Sequence, residues 1–187
     1  MSGSTGPPTG APPTDSHLPR GVAMADPPAL VVHFDGACQS VGGRRIAAYG
    51  WTVEGAGLSH EGNGLAVPPG HVRATNNVAE YAGAICALEW LLQRSYRGRV
   101  LVRGDSELVV RQMNGEYEVR AEHLRPYHDR LRQLATFFER TEFAWVPREE
   151  NERADALSKE GILAAVRGPG RAGRGPVRGA GDDRGSD

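Results

Sequence analysis

"TNNVAEYAGAICALEWLL", Thr75–Leu92, reads as a helix that is apolar almost all the way round, with one carboxylate, Glu80, near its first turn. Ala84, Ala87 and Leu91 follow Glu80 at helical spacing, so the acid shares a side with residues that belong in a core. An ionised carboxylate buried without a partner costs several kcal/mol or more. The flanking basic residues are Arg73, outside the helix, and Arg94, beyond its end. Glu80 must therefore sit at an edge or face a compensating group.

Working outward, the chain has 187 residues, 39% of them hydrophobic, with a formal net charge of -1. That suits one globular domain with a real core, flanked by tails. A near-neutral total neither selects nor excludes a nucleic-acid partner, because a basic stripe fits inside a balanced sum. Almost all positive charge is arginine, and Lys159 is the only lysine. Cys38 and Cys86 have no metal-ligand spacing and are expected as small buried residues in a reducing compartment. No run approaches the ~18 apolar residues of a membrane span. The N-terminus lacks the basic-then-apolar order of a secretory signal. A cytoplasmic monomer with no membrane partner is the expectation.

Residues 1–28 are rich in Pro, Gly, Ser and Thr and hold no apolar period, which predicts a disordered tail. Met24 is a candidate initiator, since "MADPPALVVHFDG" leads straight into the first strand. Residues 167–187 are low-complexity Arg/Gly with a few Asp, a second tail that is solvated or adds nonspecific strand contacts. The folded domain is therefore expected over 29–166.

Within it the periodicity changes repeatedly. "ALVVHF" predicts a buried strand bounded by Gly36, and "RIAAYGWTVEG" and "LSHEGNGLAV" two more joined as a hairpin or meander. After the Glu80 helix, "GRVLVRG" predicts a strand and "DSELVVRQMNG" a helix closed by Gly115. "AEHLRPYHDRLRQLATFFER" predicts a longer helix with Pro126 in an early turn or at a kink. "TEFAWVP" is a last strand and "ENERADALSKEGILAAV" a closing helix. The order β-β-β-α-β-α-α-β-α gives an α/β fold. Three antiparallel strands and then two crossover strands form a five-stranded mixed sheet with helices on both faces.

Asp35 and Asp105 end the first and fourth strands, whose ends meet at one sheet edge. Glu80 and Asp155 lie early in their helices. Singly, three of them have ordinary roles: Asp35-Gly36 is a turn pair, Asp105 a helix cap and Asp155 a dipole partner. Together the four make an all-oxygen cage suited to Mg²⁺ or Mn²⁺. Two such ions ~4 Å apart clamp both oxygens of a phosphoryl transfer. Glu80 would then face metal.

"HFDGAC", "TNNVAEYAGAICAL", "GDSELVV" and "NERADAL", in this order and across residues 30–166, resemble the type 1 ribonuclease H family. The resemblance implies the mixed five-stranded fold, with Asp35, Glu80, Asp105 and Asp155 as the catalytic, metal-binding quartet. It implies hydrolysis of the RNA strand of an RNA–DNA hybrid with two Mg²⁺ ions, leaving a 5′-phosphate and a 3′-hydroxyl. Asp35 would bridge both ions, Glu80 and Asp105 would hold the ion that activates water, and Asp155 would help hold the other.

By the same resemblance, Asn76 and Asn77 contact the hybrid's minor groove, where RNA displays its 2′-hydroxyls. Arg73 and Thr75 hold a phosphate of the DNA strand, helped by the helix N-terminus, and the backbone of Gly36, Ala37 and Cys38 runs close to the RNA. Ordinary capping is the plain alternative for Thr75 and the asparagines. Double-stranded RNA stays open as a second substrate.

Two departures stand out. The basic, aromatic handle that many relatives carry after the second helix is missing from "QMNGEYEVRAEHLRPYHDRL", so affinity must come from elsewhere or be lower. The loop before the last helix, "WVPREENERAD", has no histidine; Arg148 is expected to take a comparable position against the scissile phosphate. His33, His60, His71, His123 and His128 match no ligand spacing and are expected to be solvated or structural. A non-catalytic hybrid-binding module would be expected to lose carboxylates, and other nucleases of the superfold lack the "TNNxxE" block. A small-phosphate hydrolase would want a phosphate loop, and "GxxxxGK[ST]" is absent.

Overall fold

The computed structural model describes residues 30–167. The two tails assigned from composition lie outside the described residues, apart from Arg167, which closes the last helix. The first strand, β1 (Leu30–Val41), alternates: Leu30, Val32 and Phe34 are buried on one face, while Asp35 points to the other. β2 (Arg44–Gly55) pairs antiparallel with β1 across the turn at Gly42-Gly43, both at positive φ, and β3 (Leu58–Leu65) pairs antiparallel with β2. β4 (Arg99–Gly104) then adds parallel to β1, and β5 (Arg140–Trp145) parallel to β4, giving the order β3-β2-β1-β4-β5. This is the predicted mixed sheet.

Helix α1 (Asn76–Gln93) starts at Thr75, whose hydroxyl accepts the Val78 N–H at 3.2 Å. It lies over β1 and β2, and Val78, Tyr81, Ala84, Leu88 and Leu91 close the main core with Phe34, Trp51, Val100 and Val102. α2 (Glu107–Met113) is short and stops before Gly115, at φ +75. The expected long third helix is broken: a 3-10 turn (Glu122–Leu124) precedes α3 (Arg125–Ala135). Pro126 falls in the first turn of α3, where its missing N–H costs nothing. α4 (Glu152–Arg167) packs on the opposite face, where Ile162 meets Ile46 and Ala48.

Two glycines set how closely the helices approach the sheet. A Cβ on Gly36 would lie 2.2 Å from the backbone nitrogen of Glu80, and one on Gly50 would lie 2.4 Å from the Ala154 carbonyl oxygen. Gly50 pairs with Asp35 in the β1–β2 register, so α1 and α4 both come close to the sheet beside the acid. Gly36→Ala is expected to cost on the order of 3 kcal/mol, because the clash is with backbone that cannot repack. A lowered urea midpoint with an unchanged slope is the measurement; a midpoint within error of wild type would refute the close-approach account.

Candidate active site

β1 and β4 place the first two carboxylates. Their parallel pairing runs from Leu30↔Val100 to Phe34↔Gly104 and stops there. Asp35 and Asp105 are each the next residue, so both project where the two strands part. Asp35 is not at a strand end as expected from the sequence, because β1 continues to Val41 in its pairing with β2. α1 brings the third acid. Oxygens of Asp35, Glu80 and Asp105 lie within 4.8 Å of one another, with Asp35 and Glu80 buried. Three like charges at that distance repel unless a cation joins them.

Electrostatics follow from this crowding. Burial pushes the Asp35 carboxyl from 3.8 up to about 6; the Ser158 hydrogen bond opposes the rise and the Asp105 and Asp155 charges add to it. Glu80 is raised well above its ordinary value, first by burial and then by Asp35 and Asp105, against a hydrogen bond from the Gly36 N–H. One Glu80 oxygen, Oε2, is buried with no hydrogen-bond partner in the structure. An orphaned carboxylate oxygen amid two further carboxylates is a donor set for a hard divalent cation. The residues present fit such an ion.

Asp155 lines the same cleft but is held differently. Its two oxygens accept from Arg148 Nη2 and Lys159 Nζ, each at 2.5 Å. Burial pushes its carboxyl up, but the Lys159 and Arg148 hydrogen bonds outweigh that and leave it below the usual value. The structure thus gathers three of the four predicted acids into one cluster and gives the fourth to two cations.

Three residues of this site escaped the sequence reading. Asn151 is buried, and its amide donates to the Phe34 carbonyl at 2.8 Å and to Asp105 Oδ1 at 2.9 Å, fixing one acid against the strand that carries another. Ser158 donates its hydroxyl to Asp35 Oδ2. Lys159 holds Asp155. Asn151 lies four residues before Asp155, just ahead of α4, and Ser158 and Lys159 lie three and four after it, so helical spacing from Asp155 was the available signal.

The cleft holds about 270 Å³ and is lined by the four acids together with Gly36, Ala37, Cys38, Gln39, Asn76, Arg148 and Lys159. Asn77 is half-buried on the first turn of α1 and Arg73 is exposed in the segment leading into it; neither lines the cleft directly. Cys38 and Cys86 are half-buried rather than buried, since Cys38 opens onto the cleft.

Residues 33–161 match the model of the "Reverse transcriptase-like" family. Ribonuclease HI of Halobacterium salinarum is 39% identical over 132 residues, 70% of this chain and 62% of the relative. The chain thus spans about three fifths of that curated relative's length. The crystal structure of RNase H1 from the same archaeon is 37% identical, with a TM-score of 0.63 over 73% of this chain and 98% of that one. This chain belongs to the type 1 ribonuclease H family. LC11-RNase H1, solved in complex with an RNA/DNA hybrid, is 32% identical with a TM-score of 0.64, covering 73% of this chain and 99% of that one.

Within this ribonuclease H fold the handle is indeed missing: after α2 the chain turns at Gly115 and reaches the 3-10 turn at Glu122 with no helix between. Among the described residues no histidine lines the cleft. His60 stacks on Trp90 with ring centroids 4.4 Å apart, His128 meets the edge of Tyr81, and His71 Nδ1 accepts the Arg73 N–H. The His33 imidazole is pushed down by burial and then by the Arg103 charge beside it on β4.

Proposed function

We propose that the chain is an endoribonuclease that cuts the RNA strand of RNA–DNA hybrids and leaves 5′-phosphate and 3′-hydroxyl ends. The observation that carries this reading is the triad Asp35, Glu80 and Asp105, the first two buried, whose mutual repulsion and orphaned Glu80 oxygen call for divalent cations. Two ions, Mg²⁺ or Mn²⁺, would be held there, with Asp155 as a fourth ligand. Bound, such ions polarise the scissile phosphodiester and acidify the attacking water.

The chain's own residues then position substrate and ligands. Asn151 fixes the Asp105 carboxylate, and Ser158 fixes that of Asp35. Arg148 and Lys159 keep Asp155 ionised, so it is ready to ligate as soon as either cation releases it. A released Arg148, which lines the same cleft, would contact the scissile phosphate, where a guanidinium offsets developing charge. Asn76 and Asn77 face the 2′-hydroxyls of the minor groove, Arg73 and Thr75 take a DNA phosphate, and Gly36, Ala37 and Cys38 let the RNA backbone approach. Thr75 serves as a cap through its oxygen, which leaves its O–H free to donate.

The test uses labelled hybrid, duplex RNA and duplex DNA, each with Mg²⁺, Mn²⁺ or chelator. Hybrid cleavage that needs a divalent ion, with duplex DNA intact, is expected; cleavage surviving chelator, or none with either ion, would sink the reading. The duplex RNA arm decides whether that second substrate is cut. Arg148→Ala is expected to lower turnover on hybrid about 10²-fold, the scale of one lost charge-stabilising donor. Unchanged turnover would remove Arg148 from the chemistry.

A further inference from the structure

The β1–β2 hairpin and the loop before α1 together form a surface without a single acid. Residues 36–53 and 62–79 contain no Asp or Glu, and the fold lays these two stretches side by side. The Gly70 N–H donates to the Arg45 carbonyl at 2.8 Å, the Ala66 N–H to the Ala47 carbonyl at 2.9 Å, and the Cys38 thiol to the Ala74 carbonyl at 3.3 Å. A Cβ on Gly70 would come within 3.8 Å of the Arg44 side chain. Arg44, Arg45 and Arg73 all emerge there, exposed.

None of the three has a carboxylate partner among the described residues. Several other surface guanidiniums are neutralised where they stand: Arg111 by Glu107 and Glu116, Arg130 by Glu89, Arg140 by Glu142, Arg153 by Glu61 and Glu160. The total of -1 is therefore spread unevenly, and these two stretches carry three guanidiniums and no acid. Like charges grouped without counter-ions raise the local potential and attract a polyanion. The group also joins the cleft, because Arg45 Nη2 sits 3.6 Å from the sulfur of Cys38, which lines it. Arginine forks match phosphate oxygens in pairs.

We propose that Arg44 and Arg45, together with Arg73, form a phosphate track that extends hybrid binding past the cleft. It supplies the affinity that a basic handle between α2 and α3 would give, and it rests on the hybrid-cleaving reading above. The partner is a phosphodiester backbone rather than an acidic protein, because the track runs on from the cleft in which the same backbone has to lie.

The experiment measures binding of a fluorescein-labelled hybrid by anisotropy, in chelator so that nothing is cut, between about 50 and 200 mM salt. In the Arg44→Ala/Arg45→Ala protein the slope of log K against log salt should be shallower by about 2, since each lost phosphate contact removes about 0.9. Affinity at the low-salt end should fall on the order of tenfold. Arg44→Lys/Arg45→Lys should keep most of the slope, which separates lost charge from a damaged hairpin. An unchanged slope in the alanine protein overturns the track even when wild type cuts hybrids, in which case the nuclease reading stands. Loss of binding to polyglutamate with hybrid binding intact also overturns it, in favour of an acidic protein partner. Cleavage by wild type with Mg²⁺ or Mn²⁺, scored separately, decides the nuclease reading by itself.

Discussion

Asp105→Asn is expected to abolish hybrid cleavage, by on the order of 10³-fold or more, while making the metal-free protein harder to unfold. The loss follows from removing one of three oxygens that close the cation cluster. The gain follows from the same geometry. The substituted side chain would still accept the Asn151 amide through its carbonyl, so the bond that ties the start of α4 to the end of β4 survives. Its own amide would then donate to a neighbouring carboxylate, replacing repulsion with a hydrogen bond to a charged group, a change of about 1–3 kcal/mol. Calorimetry in chelator should show a melting temperature raised on the order of 5 °C. A variant that digests hybrids at full speed, or melts lower than wild type without metal, would dismantle the shared-cation account.

The second large effect is in pH. Asp35 and Glu80 both have folded values above their unfolded ones, so the native state binds more protons than the unfolded chain across that interval. Stability in chelator is therefore full below the unfolded values and falls as pH rises through the folded ones. For Asp35 the window runs from 3.8 to about 6. That difference corresponds to about 3 kcal/mol as an upper figure. Asp155 works in the opposite sense, adding stability above its unfolded value that is lost as acid protonates it. Two raised groups outweigh one lowered group, so the chelated protein should unfold more easily at pH 7 than at pH 5. Saturating Mg²⁺ or Mn²⁺ should reverse the trend, since at 100 times its Kd a ligand adds about 2.7 kcal/mol. Denaturant midpoints at both pH values, with and without the cation, are the check. A chelated protein that is as stable at pH 7 as at pH 5 would show that the carboxylates are not forced together.

Much of this was legible in the chain. The sheet order and the helices follow from switches of periodicity, and Glu80 was the sign of the site because an acid on a core-facing side demands a partner. What stayed hidden was contact between distant residues. Asn151 looks like one more polar residue in a loop, and nothing local says that its amide spans to Phe34 and Asp105. The strand end assigned at Asp35 failed because a short apolar run marks only where β1 is covered on both edges. Past Phe34 it keeps one neighbour, β2, and its residues turn half-exposed from Ala37. The broken third helix likewise reflects Pro126, which has no N–H to give the Glu122 carbonyl, so that turn stays 3-10 and the α-helix begins at Arg125. In sequence Arg45 is just half of an arginine pair, and only the folded hairpin sets it beside Cys38.

The single lysine has a practical corollary for anyone wishing to attach something to this protein. Every reagent aimed at a side-chain ε-amine has one address in the chain, Lys159, and that amine grips an acid inside the cleft. Coupling to a resin or dye by that chemistry would plug the cleft.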